Sequence, residues 1–229
     1  MPILLFIVFV DLVGFGIIIP LLPFYAEHFG ASVLAVTLLM AVYSAMQFVA
    51  APLLGALSDR FGRRRVIALS TFGAALGYLV MGLADSLALL FVARALAGAM
   101  AGNIAAAQAY IADVTTPEDR AKGMGLMGAA FGMGFVIGPA IGGVLAGPDA
   151  ANPDFRTPFL VAGAVSFVGV LTGLIFLREP ERHRPPEISR SMGARFRSFG
   201  LVIAHPGVAM PVLVLVIMGF AMAGLESTL

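Results

Sequence analysis

Gly55-Ala56-Leu57-Ser58-Asp59-Arg60-Phe61-Gly62-Arg63-Arg64-Arg65 packs one carboxylate and four guanidiniums between glycines, and long uncharged runs lie on both sides. Phe29–Ser58 and Val66–Ala84 contain no Asp, Glu, Lys or Arg, and the same holds for Ala95–Ala112, Gly123–Pro148, Thr157–Leu177 and Ser198–Leu225. A further run, Met1–Ala26, is interrupted only by Asp11. A bilayer crossing needs about 20 apolar residues at a rise of about 1.5 Å each, so a charged eleven-residue stretch between two such runs reads as a turn between membrane helices. Hydrophobic residues make up 60% of the chain and charged residues 12%, about half the charge that a water-facing surface carries. The runs are apolar all round, which excludes the striped core helices of a soluble protein.

Working outward gives an all-α transmembrane fold. Spans are expected at about 3–24, 33–57, 66–84, 88–113, 117–146 and 157–177, with a seventh from about 207. Met1–Pro23 lacks a basic leader region and a small-residue cleavage pattern, so it reads as a retained first span. Twelve of the fourteen Lys and Arg residues fall in the turns after spans two, four and six, which places those turns and the N-terminus in the cytoplasm. Residues 178–206 are basic and contain Pro180, Pro185 and Pro186. They read as a cytoplasmic linker between a bundle at 1–177 and a helix at 207–229. Because that last helix stops at Leu229, soon after Glu226, the sequence reads as truncated.

Several residues stand out against this background. Asp11 lies mid-span, where a charge costs about 2.5–3.5 kcal/mol on insertion scales. It reads as a group that faces a cavity and exchanges a proton there, or as a structural hydrogen-bond partner of a neighbouring helix. Arg94 opens span four and needs either a counter-charge or room to reach the headgroups. At 100° per residue Gln108 falls about 40° from Arg94 and Asn103 about 180° away, so Gln108 is the expected cavity residue, with Gln47 and Tyr43 one turn apart in span two. Asp113 and Arg120 flank the fourth turn and are expected to pair as a latch, or to remain solvated. In that turn Thr116 suits an N-cap and Pro117 the first helical position. Gly134, Gly138 and Gly142 repeat every four residues as a packing stripe, and Pro139 removes a backbone donor. Cysteines are absent, and His28, His183 and His205 show no metal spacing. No cofactor, metal, nucleic-acid partner or enzymatic activity is expected.

The 55–65 stretch resembles the signature loop of the major facilitator superfamily, through Gly55, Asp59, Arg60, Gly62, Arg63 and Arg64. Gly125, Gly134, Gly138, Pro139, Gly142 and Gly143 are similar to the antiporter motif of that superfamily's drug/proton exchangers. Tyr43-Ser-Ala-Met-Gln47, Ala51-Pro52 and the Asp-x-x-Gly-x-Gly pattern from Asp11 resemble the tetracycline exporters in particular. The resemblance implies a pair of six-helix bundles with substrate between them near the midplane, of which the chain holds the first. It implies export of a small amphipathic molecule against protons, with the lipid bilayer and a C-terminal six-helix half as partners. It also implies roles for Asp11 and Arg94 in proton handling and a gate at Asp59. Gly77 stands where those exporters carry an acid in helix three, which argues against tetracycline as the substrate. An importer or uniporter on the same scaffold, or a transport-inactive scaffold, is the alternative.

Overall fold

The computed structural model describes residues 1–149 and 153–180, with Met210 and Val214 beyond them. Among the described residues there are eight α-helices and no strand: α1 (Pro2–Ile18), α2 (Leu22–His28), α3 (Val33–Phe61), α4 (Arg63–Gly82), α5 (Leu87–Met100), α6 (Asn103–Val114), α7 (Pro117–Ala146) and α8 (Arg156–Phe176). Five segments are long and apolar enough to cross a membrane, and six when α1 and α2 count as one. The linker expected at 178–206, apart from Arg178–Pro180, and the seventh helix, apart from Met210 and Val214, lie outside the described residues.

Two expected spans are broken. The first bends by 41° between α1 and α2, because Pro20 and Pro23 both lack an amide donor and the ladder cannot continue through them. The fourth breaks at Ala101–Gly102, where the Ala101 N–H bonds the Gly98 carbonyl three residues back and the ladder restarts from the Gly102 carbonyl to Ala106. The 55–65 stretch also differs from its expected form, since it is almost wholly helical. Gly55 to Arg60 continue α3 and Arg63 opens α4, leaving Gly62 alone between them at φ +105°. A side chain disfavours that conformation and glycine does not. The fourth turn follows the sequence closely: the Thr116 hydroxyl accepts the Asp119 N–H at 3.4 Å and Pro117 begins α7.

α1 packs between α7 and α8, α4 packs between α8 and α5, and α3 lies on α5. Glycines set the closest of these approaches. A Cβ at Gly138 would stand 2.7 Å from the backbone of Gly16, and one at Gly134 would meet Leu12 at the same distance. Gly142 faces Ile17 in the same row, whereas Gly125 and Gly143 have no neighbour within 4 Å of a Cβ. At one end Tyr25 donates to the Ala84 carbonyl at 2.9 Å and its ring meets Phe155 and Phe159. α3 and α7 present apolar residues outward, with Phe48 73% and Val144 81% exposed. Such faces are stable only against lipid or another apolar bundle.

Candidate functional site

Polar side chains gather in two places. At the end of the bundle that carries Arg60 to Arg65, Arg63 is the centre. Its side chain is 13% exposed and bonds Asp59 at 2.8 Å and Asp113 at 2.9 Å. It also donates to the Ser58 hydroxyl at 2.6 Å, which in turn donates to the Gly55 carbonyl. Glu179, just after α8, accepts the backbone N–H of Arg63 at 2.6 Å and of Arg64 at 3.0 Å. A carboxylate there meets the unpaired donors and the positive end of the α4 dipole. Arg64 reaches the Leu174 carbonyl, and Tyr110 donates to the Arg178 carbonyl at 2.9 Å. Arg63 thereby joins α3 to α6, and Glu179 ties the end of α8 to α4.

This corrects the expected latch. Asp113 is held by Arg63, while Arg120 donates to the Ala112 carbonyl at 3.2 Å. The reason is local: α6 ends at Val114, and the last-turn carbonyls attract Arg120, while Arg63 enters from the neighbouring helix. Arg60 lies over the Phe61 ring at 5.2 Å, on the exposed side of α3.

The second cluster lies within the helices. Asn103 donates to one Asp11 carboxylate oxygen at 2.6 Å, and the Ser166 hydroxyl of α8 lies beside the same carboxyl. The other Asp11 oxygen, the Asn103 carbonyl oxygen and the Ser166 hydroxyl are buried without a hydrogen-bond partner. Arg94 is 3% exposed, so it does not reach toward headgroups. Its guanidinium carbon lies 4.2 Å from the centre of the Tyr43 ring and 5.6 Å from that of Phe15, and those rings are 5.1 Å apart. Gly98, one turn on, allows this approach, because a Cβ there would stand 2.5 Å from the Tyr43 carbonyl oxygen. Gly77 packs against the Ala93 carbonyl and Ala97 on either side of Arg94.

Asn103 is the amide that meets Asp11. Asn103 faces Asp11 on α1, whereas Arg94, one break earlier in the same span, faces Tyr43, Phe15 and Met40. Gln108 is exposed on α6, and among the described residues no hydrogen bond joins it or Gln47 to Asp11 or Arg94. Sequence reasoning missed Phe15, Ser58, Ser166 and Glu179. Two of these carried a signal: Glu179 is an acid at the end of an apolar span, and Phe15 is an aromatic one turn from Asp11.

A glycine-lined α1–α7 pair, a single-glycine turn framed by Asp59 and Arg63, and six apolar spans agree with the model of the Major Facilitator Superfamily, which matches residues 4–229. The chain belongs to this superfamily. Among superfamily members, the tetracycline resistance protein, class C, of Escherichia coli is 40% identical over 182 residues, covering 75% of this chain and 43% of that protein. Multidrug resistance protein 1 of Bacillus subtilis (strain 168) is 33% identical over 228 residues, covering 99% of this chain and 56% of that protein. The crystal structure of the human organic anion transporter MFSD10 matches with a TM-score of 0.71 at 27% identity, over 84% of this chain and 50% of that one. The chain thus spans about half the length of the relatives it matches.

Proposed function

We propose that the chain contributes the N-terminal bundle, residues 1–177, of a secondary active transporter that exports small amphipathic compounds in exchange for protons. The bundle is followed by a cytoplasmic linker and the first helix of a C-terminal half. The observation that carries this reading is the half-satisfied Asp11: one oxygen bonded to Asn103, the other buried, with the Ser166 hydroxyl beside the carboxyl. A carboxyl in that state has room for a proton and a neighbour that holds it in place. Arg94, with its charge nearby in the same bundle, modulates the exchange. Asp59, Arg63 and Asp113 hold one access state together and part when the bundles rock. The names of the relatives, tetracycline and multidrug resistance proteins, support drug export, and the row Gly134, Gly138, Gly142 with Pro139 supports antiport over uniport or import. The distribution of Lys and Arg supports a cytoplasmic N-terminus in a bacterial inner membrane.

The test is proton flux. The full-length protein, reconstituted in vesicles with a pH dye inside, moves protons when a drug gradient is applied. Asp11→Asn, which keeps the shape and the bond to Asn103 but cannot titrate, abolishes that flux while leaving drug binding in place. Undiminished drug-driven flux from Asp11→Asn removes Asp11 as the carrier, and solute uptake without proton movement turns the reading to a uniporter.

A further inference from the structure

We propose that Arg94 is the receptor for an anionic group on the transported molecule, a carboxylate or enolate attached to an aromatic ring. This deepens the export reading and rests on it. The guanidinium is 3% exposed and stays protonated at any physiological pH, so it is a permanent charge inside an apolar bundle. Such a charge is normally met by a carboxylate. Among the described residues both ion pairs belong to Arg63, at the other cluster, and no acid lies within 4.0 Å of Arg94. Asp11 does not serve: one of its oxygens accepts from Asn103 and neither forms an ion pair with Arg94.

What surrounds Arg94 instead is aromatic and soft. Tyr43 and Phe15 meet the guanidinium at 4.2 and 5.6 Å, and the sulfur of Met40 is 3.9 Å from one terminal nitrogen. Aromatic rings offset part of the charge through their negative faces, and a thioether is a weak acceptor. Neither satisfies the in-plane N–H groups, and Nε and Nη1 are both buried without an acceptor. Guanidinium N–H groups are laid out in planar forks that match the two oxygens of a carboxylate. A charge that is permanent, enclosed and short of acceptors rewards an incoming anion more than any neutral or cationic ligand. The rings extend outward from it: Phe135 of α7, 45% exposed, stands edge-on to Phe15 at 6.0 Å. An aromatic ring attached to the anionic group would therefore lie along Phe15, Tyr43 and Phe135 while its charge reached Arg94.

The experiment compares three naphthalenes of one shape on the full-length protein in lipid nanodiscs: 2-naphthoate, its neutral methyl ester and the 2-naphthylmethylammonium cation, with affinities from isothermal titration calorimetry. The acid binds about tenfold or more tighter than the ester, as a charge-assisted fork to a desolvated guanidinium predicts. Arg94→Gln erases that preference. Arg94→Lys, which keeps the charge but not the fork, retains only part of it and serves where the glutamine variant does not fold. Equal affinity for acid and ester, tighter binding of the cation, no acid binding at millimolar concentration, or a preference that survives Arg94→Gln would each overturn the assignment. If the acid preference is missing while drug-driven proton flux persists, the anion site fails and the exporter reading stands; the reverse pattern fails the exporter and leaves the site.

Discussion

Arg63 and Arg94 are the same residue type, both largely buried, and they live under opposite conditions. Arg63 has two carboxylates and a hydroxyl on its side chain, and its backbone N–H meets Glu179. Arg94 has two rings and a sulfur, with Nε and Nη1 left over. A fully met charge holds a structure in one arrangement, because every rearrangement strands several partners. An unmet charge stabilises nothing in particular and waits for a group to arrive. The difference separates a fastening at one end of the bundle from a site within it.

The comparison predicts opposite signs for like substitutions. Arg63→Ala removes the ion pairs to Asp59 and Asp113, whose side chains are 47% and 32% exposed. That exposure keeps the loss below the roughly 3–5 kcal/mol of a fully buried pair, at about 2 kcal/mol. Arg94→Met removes a charge that has no counter-charge and is neutral or stabilising by about 1 kcal/mol. Both are read from the midpoint of SDS unfolding in mixed micelles, followed by circular dichroism. Equal losses at the two positions would mean that Arg94 has acquired a partner, and the contrast would collapse.

A smaller effect sharpens the picture of the fastening. Glu179→Ala leaves two donors at the start of α4 unmet and lowers stability by about 1 kcal/mol, the usual worth of a helix cap. Glu179→Gln keeps an acceptor but not the charge that favours the α4 dipole, and falls between. If Glu179→Ala changes nothing, α8 is not tied to α4 through that carboxylate.

The fold was legible because it depends on long uncharged runs, and such runs admit few other structures. The packing stripe was legible too, since Gly134, Gly138 and Gly142 fall on one face at four-residue spacing, but that it meets Leu12, Gly16 and Ile17 of α1 came from the structure. The partners of the charged residues were less legible, for two physical reasons. Angular bookkeeping from Arg94 says which residues share its face of one helix and nothing about what Asp11, on α1, meets, and that partner is Asn103 of α6. Proximity in sequence also favoured Asp113 with Arg120, seven residues apart, whereas the nearer guanidinium in space comes from α4. Asp59 to Arg63 was legible in kind, as a carboxylate among guanidiniums, but its two ends lie on separate helices joined only by Gly62.

Asp154 offers a third condition, a carboxylate that is fully met yet lies outside the apolar helices. It accepts the N–H of Arg156 at 2.9 Å and of Thr157 at 3.1 Å, and the Thr157 hydroxyl as well. The Thr157 hydroxyl and N–H, with smaller help from Arg156, hold its carboxyl below the ordinary value of 3.8. A group whose folded value is depressed stabilises the fold wherever the pH is above its ordinary value, and that stabilisation fades as the pH falls through the folded one. Asp154→Ala therefore lowers the SDS midpoint slightly at neutral pH, by the same amount from about pH 5 to 8, and the gap closes below 3.8. Because this cap does not titrate near neutrality, the pH profile of drug-driven flux is unchanged in Asp154→Ala. A profile that moved with Asp154 would shift the search for the proton carrier from the interior of the bundle to its rim.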